Sequence, residues 1–134
     1  MVQPTYDDAN LLLRLYELRR EDKLRQARHW FLFEFTPGPW NEVREGFFTG
    51  KEQDNYLRMV VSYWDMVCAL VKQGVLNKEL FYTTNGEHLA VWNKTTPWVE
   101  GVREEFKNPL MLRSLEEIAE DTVQWRQRQT EKTR

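Results

Sequence analysis

The chain has 134 residues, of which 41% are hydrophobic and 13% are aromatic. That length and composition are those of one folded domain with its own core, and they exclude a chain that is disordered throughout. Lys and Arg together number 19 and Asp and Glu 21, so the net charge is −2. We therefore expect no nucleic-acid binding driven by overall basicity.

The single cysteine and the absence of a long apolar run indicate where in the cell the protein is expected. Cys68 alone cannot form an internal disulfide, and no zinc-ligand spacing surrounds it. No apolar run approaches the roughly 20 residues of a membrane span. The first eight residues also lack the basic-then-apolar order of a secretion signal. We expect a soluble, cytoplasmic protein with no membrane span.

The apolar residues recur with the helical period in nearly every segment. The chain contains only 6 Gly and 5 Pro, and these cluster between the periodic segments. The pattern predicts an all-α fold, a compact helical bundle of four main helices plus one or two short helices. Residues 1–125 are expected to form a single helical domain, and residues 126–134, which contain no apolar side chain, a frayed or disordered tail.

The first main helix is predicted over residues 5–35, with Thr5 as its N-cap and Pro37 just beyond its end. Its apolar stripe rotates around the helix after a charged run at residues 19–23. We favour one long helix whose two halves pack on different neighbours. A bend near residues 20–23 is the alternative.

The second main helix is predicted to be the central element. After a short amphipathic helix near Trp40, a capping box over residues 49–52 begins a helix that reaches about residue 73, with Gly74 as its C′ residue. Apolar side chains cover more than half of its circumference, so it should be covered on several sides. Asp65 falls on the narrow polar strip that remains and is predicted to be exposed.

Two further main helices complete the predicted bundle. A short helix begins near Asn77, and a second capping box at residues 84–87 begins a helix whose stripe keeps its phase across Pro97. A kinked single helix is favoured there over two helices. Asn108 and Pro109 then stand in the order typical of an N-cap and a first helical residue, and the last stripe ends at Trp125.

The sequence contains no recognisable catalytic or metal-binding set. His29, His88 and Cys68 each lack a partner at the spacing of a base or a ligand. We predict no catalytic residue, no metal site and no cofactor, and an enzymatic role is the third choice. Glu17 and Arg20 lie near an apolar line, so they would need partners inside the core or would line a pocket if that line is buried.

The aromatic content supports two hypotheses about function. Six Trp, five Tyr and seven Phe are a heavy aromatic content for one small helical bundle. Either these large side chains fill wide gaps between the helices or a surplus of them is exposed at an interface, for which Trp40 and Trp98 are the candidates. The first hypothesis is a non-enzymatic protein-interaction module that binds a protein partner or forms a homodimer. The second is a small-ligand-binding regulatory domain, whose pocket lies between the central helix and the helix that carries His88, Trp92 and Arg103.

Four runs of the sequence resemble an uncharacterised family of small bacterial proteins, described only as a domain of unknown function. The runs are Ala27-Arg28-His29-Trp30, residues 56–65, Gly74-Val75-Leu76 and Asn108-Pro109. The resemblance spans roughly residues 15–125. It implies a helical domain from a bacterial or phage source, and it implies no catalytic residue and no substrate.

Overall fold

The structure is a computed structural model that describes residues 2–48 and 52–133, with the backbone alone for residues 52–54. These residues form eight α-helices and no strand, so the predicted all-α class is confirmed. Two of the predicted main helices are each divided in two. The helices are α1 Tyr6–Arg19, α2 Asp22–Phe33, α3 Trp40–Phe48, α4 Glu52–Lys72, α5 Lys78–Thr84, α6 Glu87–Thr95, α7 Val99–Glu105 and α8 Arg113–Lys132.

Helix α4 is the centre of the bundle, as its wide apolar arc predicts. Helices α2, α3, α6 and α8 all pack against it. Val60, Trp64 and Val71 along its length are buried. It ends where Gly74 adopts a φ of +79°, a left-handed conformation that costs glycine little. The predicted capping box at residues 49–52 falls almost wholly on residues 49–51, which lie outside the described residues.

Residues 5–35 form two helices, so the prediction of one long helix is wrong. Helix α1 ends at Arg19, and Glu21 adopts an extended ψ of 140° as the N-cap of α2. The Glu21 carboxylate folds back and accepts hydrogen bonds from the backbone N–H groups of Lys23 and Leu24, both at 3.1 Å. Two N–H groups that lack helical partners are thereby satisfied, which stabilises the break.

The helix around Pro97 is broken, whereas a kink was predicted. Helix α6 ends at Thr95 and α7 begins at Val99. Pro97 has no N–H to donate to the carbonyl of Asn93, four residues earlier. The Thr96 hydroxyl donates to that carbonyl instead, at 3.0 Å. Because a side chain replaces the missing backbone donor, the chain can start a new helix without leaving the carbonyl unpaired.

The predicted capping box at the start of α6 is also wrong, because its side chains have other partners. Gly86 is the N-cap, and no side chain caps the helix. The Thr84 hydroxyl donates to the carbonyl of Leu80 in the preceding helix, at 2.8 Å. The Glu87 carboxylate accepts from Arg28 of α2.

Helix α8 starts later than predicted and takes its cap from another helix. The Asn108 side chain accepts from the N–H of Leu110 in a turn, and Leu112 precedes the helix with a φ of +59° and no side-chain cap of its own. Asp65 Oδ1 of α4 accepts from the N–H of Leu115, at 3.0 Å. Asp65 is therefore half-buried, where the helical wheel predicted exposure, and burial raises the pKa of its carboxyl group.

The C-terminal residues continue α8 as far as Lys132. The sequence predicts a frayed or disordered tail over residues 126–134, and most side chains of this last stretch are exposed. Exposed side chains contribute little tertiary packing to stabilise the end of a helix. Its fraying in solution stays a prediction.

Trp98 lies inside the core, so the prediction that it is exposed is wrong. Its side chain is fully buried, its ring stacks on that of Trp40 with centroids 6.3 Å apart, and its Nε1 donates to the carbonyl of Lys94, at 2.8 Å. Gly101 of α7 permits this packing, because a Cβ at that position would collide with the side chain of Trp40. Trp40 itself is half-buried.

We predict that Trp98→Ala destabilises the fold by about 3–5 kcal/mol, since it leaves a large cavity beside Trp40. Urea denaturation followed by circular dichroism measures this loss. Phe33→Ala is the matched control, because Phe33 is 75% exposed and its truncation should change the free energy of unfolding by less than about 0.5 kcal/mol. A similar small loss for Trp98→Ala would contradict its placement in the core.

Candidate functional site

Helix α1 is attached to the rest of the molecule by polar contacts at its two ends and by a buried hydrogen bond at its middle, where the Tyr63 hydroxyl of α4 donates to the carbonyl of Leu15, at 2.5 Å. At its start, Asp8 closes a capping box, and its Oδ1 accepts from the backbone N–H of Asn77, at 2.8 Å. At its end, Arg28 Nη1 donates to the carbonyl of Arg19, at 3.0 Å. Asp8 and Leu15 are its only buried residues. Leu11 and Leu12 also pack against the core and are half-buried, so the apolar face of α1 is covered only in part.

A half-open pocket of about 300 Å³ lies under the middle of α1. It is bounded by α1, α4 and the end of α5. The apolar and aromatic side chains that line it are Leu12, Leu13, Leu15, Tyr16, Tyr63, Trp64, Val67 and Phe81. Three polar residues, Arg19, Thr84 and Asn85, lie at one end of the pocket, where α1 and α5 both terminate.

A buried ion pair borders the polar end of this pocket. Arg28 Nε and Nη2 donate to the two carboxylate oxygens of Glu87, both at 2.7 Å. The side chains are 17% and 15% exposed. Trp64 Nε1 donates to the same carboxylate, at 2.9 Å. One carboxylate thus joins α2, α4 and α6 immediately behind the pocket wall.

The charges of this pair stabilise each other in spite of their burial. Burial alone would raise the pKa of Glu87. The hydrogen bonds and the positive charge of Arg28, together with the hydrogen bond from Trp64, have the larger effect, so the pKa of Glu87 is lowered. The hydrogen bonds with Glu87 raise the pKa of Arg28. Both groups are therefore charged at neutral pH, and both oxygens of Glu87 already accept hydrogen bonds within this cluster.

Arg19 is the positively charged residue at the polar end of the pocket, which we call its mouth. Its guanidinium lies over the rings of Tyr16 and Trp64, 4.9 and 5.6 Å from their centroids, and Nη1 donates to Asn85 Oδ1, at 3.3 Å. Within residues 2–48 and 55–133, no carboxylate lies at ion-pair distance from Arg19. Its positive charge is uncompensated by a direct partner there.

His88 is fully buried behind the aromatic wall of the pocket, with ring centroids 4.9 Å from Phe81 and 6.1 Å from Trp64. The Thr122 hydroxyl donates to the carbonyl of Ile118, at 2.7 Å, so it must accept from His88 Nε2, at 2.9 Å. His88 therefore carries its proton on Nε2, and among the described residues Nδ1 has no partner. Burial, with a smaller effect of a nearby arginine, lowers the pKa of His88 from 6.5 to about 4.

We predict that His88 makes the protein less stable as the pH falls from about 6.5 to about 4, because over that interval the unfolded chain takes up a proton at this position and the folded chain does not. At about 1.4 kcal/mol per pH unit, the loss is about 3 kcal/mol. Chemical denaturation at several pH values measures it.

The His88→Gln variant should lose this part of the pH dependence. His29 is exposed, so His29→Gln should keep the pH dependence of the wild type and serves as the control. If the free energy of unfolding changed with pH in the same way in the wild type and in His88→Gln, the prediction would be wrong. His88 would then have the same pKa in the folded and in the unfolded chain.

The structure separates the residues that the sequence grouped as a pocket or as buried polar groups. Glu17 and Arg20 are exposed, so they are neither buried polar groups nor in need of partners inside the core. Trp92 is half-buried at the edge of the core. His88 is buried, but none of these four residues lines the pocket under α1.

Arg103 is buried as a structural group at another place in the fold. Its Nε donates to the carbonyl of Met111, Nη1 to Glu100 and Nη2 to Glu116, all at 2.8 Å. These contacts attach the loop before α8 to α7. Arg103 and His88 therefore do not face a common cavity, and the pocket that the sequence suggested is replaced by the one under α1.

The residues that distinguish the observed pocket were missed at the sequence level. The sequence places Arg19 in the charged run at residues 19–23 and assigns Asn85 and Glu87 only to the predicted capping box at residues 84–87, so none of them is predicted to lie at a pocket. One signal was available, because Leu12, Leu15 and Arg19 follow one another at spacings of three and four and share a helix face. A cation that continues an apolar stripe is typical of the edge of a pocket or interface.

Comparisons with known proteins identify a family and no individual relative. The family model described as DUF4760, a domain of unknown function, matches residues 4–125. No curated protein and no solved structure matches the chain. In the described part of the chain, no three His, Cys, Asp or Glu residues form a group that would hold a metal ion. None of the described helices has the length and apolar content to cross a membrane.

Proposed function

The chain belongs to the DUF4760 family, a domain of unknown function, and from its own geometry we propose that it is a non-enzymatic helical module that binds a small, largely apolar molecule under α1. The observation that carries the proposal is the pocket itself. It combines an apolar lining with a few polar groups at one end, which is the usual composition of a small-molecule site.

The attachment of α1 supports this use of the pocket. Leu15 is the one buried apolar side chain of α1, and about 300 Å³ remains open between α1 and α4 beside the hydrogen bond from Tyr63 to the Leu15 carbonyl. That volume is at the lower end of the roughly 300–1,000 Å³ of small-molecule pockets. A single short chain or one or two rings would fill it.

The other polar groups that were considered for chemistry support a non-enzymatic role. Cys68 is fully buried, and burial raises the pKa of its thiol, which makes it a poor nucleophile. His88 is committed to Thr122 through one ring nitrogen and is shut off from solvent. Neither side chain lines the pocket.

We predict that the neutral fluorescent dye N-phenyl-1-naphthylamine binds saturably with 1:1 stoichiometry. Leu12→Trp should weaken that binding at least tenfold, because Leu12 lines the pocket and a larger side chain there occupies its volume. Titration of dye fluorescence at fixed protein concentration measures both quantities.

Leu110→Trp is the matched control, since Leu110 is 72% exposed and lies off the pocket. It should leave dye binding unchanged. Circular dichroism and urea denaturation confirm that both variants are folded. Non-saturable dye binding, or equal affinity in the two variants, would contradict the proposed site.

A second candidate function, self-association, is favoured by a separate aromatic patch formed by Trp40, Phe48 and Phe106. Phe48 and Phe106 are 46% and 44% exposed, and their ring centroids are 5.6 Å apart. Trp40 lies beside Phe48, with centroids 6.2 Å apart. Adjacent exposed aromatic rings are common anchors of protein interfaces.

For this candidate we predict a monomer–dimer equilibrium at micromolar concentration, whose dissociation constant rises at least tenfold in the double variant Phe48→Ser, Phe106→Ser. Sedimentation velocity over a concentration series measures it. Leu110→Ser is the control, because it removes an exposed apolar side chain away from the patch. A wild-type protein that stays monomeric at high micromolar concentration would remove this candidate.

A further inference from the structure

We infer that the molecule bound under α1 is a free monocarboxylate with one short apolar chain, and that Arg19 binds its carboxylate. The inference rests on the proposed function and adds the chemical class of the ligand. It follows from the charge at the mouth of the pocket, from the way Arg19 is held there, and from the size and lining of the pocket.

The charge at the mouth favours an anion. Arg19 lines the pocket, and its one hydrogen-bond acceptor among the described residues is the neutral Asn85. Glu87 feels the charge of Arg19, but both of its oxygens already accept from Arg28 and one accepts from Trp64. The charge of Arg28 is paired with Glu87, whereas Arg19 has no ion-pair partner among the described residues and lies beside an apolar cavity.

Arg19 is held in a position from which it can bind a carboxylate with little reorganisation. Its guanidinium rests on the rings of Tyr16 and Trp64 and is tethered to Asn85 through one nitrogen. The other N–H groups of its planar fork remain for a ligand, and that fork matches the two oxygens of a carboxylate. A side chain ordered before binding loses less conformational entropy when the ligand arrives.

The lining of the pocket determines the rest of the ligand. Beyond Arg19 the walls are apolar and include Leu12, Leu15, Val67 and Phe81. A chain without further polar groups leaves no unpaired donor or acceptor against such walls. About 300 Å³ accommodates one short chain and is too small for the two chains of a phospholipid.

A purely structural role for Arg19 is the competing explanation. It is the basic residue in the last turn of α1, where a positive charge stabilises the helix dipole. Such a role predicts that removal of the charge lowers stability and leaves ligand preference unchanged. Arg14, an exposed arginine of the same helix that does not line the pocket, provides a matched control for loss of one positive charge.

The experiment compares octanoate, octanol and octylamine, which share a chain length and differ in the charge of the head group. Binding to the full-length wild type, Arg19→Gln and Arg14→Gln is measured by isothermal titration and by displacement of N-phenyl-1-naphthylamine. We expect the wild type and Arg14→Gln to bind octanoate at least tenfold more tightly than octanol, and octylamine most weakly. In Arg19→Gln the preference of octanoate over octanol should fall to within about twofold, with octanol affinity retained.

The outcomes separate the inference from the proposed function. Equal binding of octanoate and octanol by the wild type, with dye binding intact, overturns the inference and leaves the pocket as a site for neutral molecules. An equal loss of octanoate binding in both arginine variants also overturns it, because the effect is then one of net charge. Absence of binding by all three probes and by the dye overturns both.

Membrane lipid is the other source of an anionic amphiphile, and vesicles containing phosphatidylglycerol test it. We expect the wild type and Arg19→Gln to sediment equally with such vesicles, since the pocket is matched to a free single-chain acid. Sedimentation of the wild type that Arg19→Gln abolishes, without octanoate binding, would overturn the inference in favour of a lipid surface.

Discussion

The buried pair between Arg28 and Glu87 is the interaction on which the rest of the structure depends. Glu87 stands in the first turn of α6, where the helix dipole favours a negative charge, and it receives two hydrogen bonds from Arg28 and one from Trp64. The third nitrogen of Arg28 donates to the carbonyl of Arg19 at the end of α1. Four helices therefore meet through one guanidinium and one carboxylate. Removal of either partner would leave a buried charge uncompensated, which typically costs about 3–5 kcal/mol.

This arrangement divides the molecule into a tightly packed part and a loosely packed part. Around α4 the side chains interlock, and Trp64, Val67 and Leu115 are almost entirely excluded from solvent. Helix α1 instead depends largely on hydrogen bonds, at its two ends and from Tyr63 to the carbonyl of Leu15, and Leu15 is its one buried apolar side chain. Because such a helix has few apolar contacts to lose, it belongs to the part of a fold that opens at least cost in free energy. The pocket lies at the boundary between the two parts, so a ligand can enter without disturbing the core.

Helical periodicity predicted the all-α class, the central position of α4 and the stripes of α2 and α8, because a buried stripe is a local property of the sequence. The two breaks were not predicted. One depends on the carboxylate of Glu21 folding back onto its own helix start, and the other on the hydroxyl of Thr96 serving the carbonyl that Pro97 cannot. A helical wheel also predicted the wrong exposure for Asp65. It considers one helix in isolation, so it cannot show that the Asp65 carboxylate accepts a hydrogen bond from the first turn of α8. For the candidate site, the sequence predicted the apolar face of α1 but not the residues of α4 and α5 that line the pocket opposite it.

Arg19 and Arg28 illustrate why the charge of the site could not be read from composition. They lie nine residues apart in the first predicted main helix, and nothing in the local sequence distinguishes them. The partner of Arg28 lies 59 residues further along the chain, at a separation that no local pattern encodes. In the fold, Glu87 neutralises Arg28, whereas Arg19 is left over an aromatic surface beside an apolar cavity. A charge in such a place is screened less than one in water, so its sign has a stronger effect on what can bind next to it. The proposed preference for an anion at this pocket thus rests on which of two similar residues the fold leaves without an ion-pair partner.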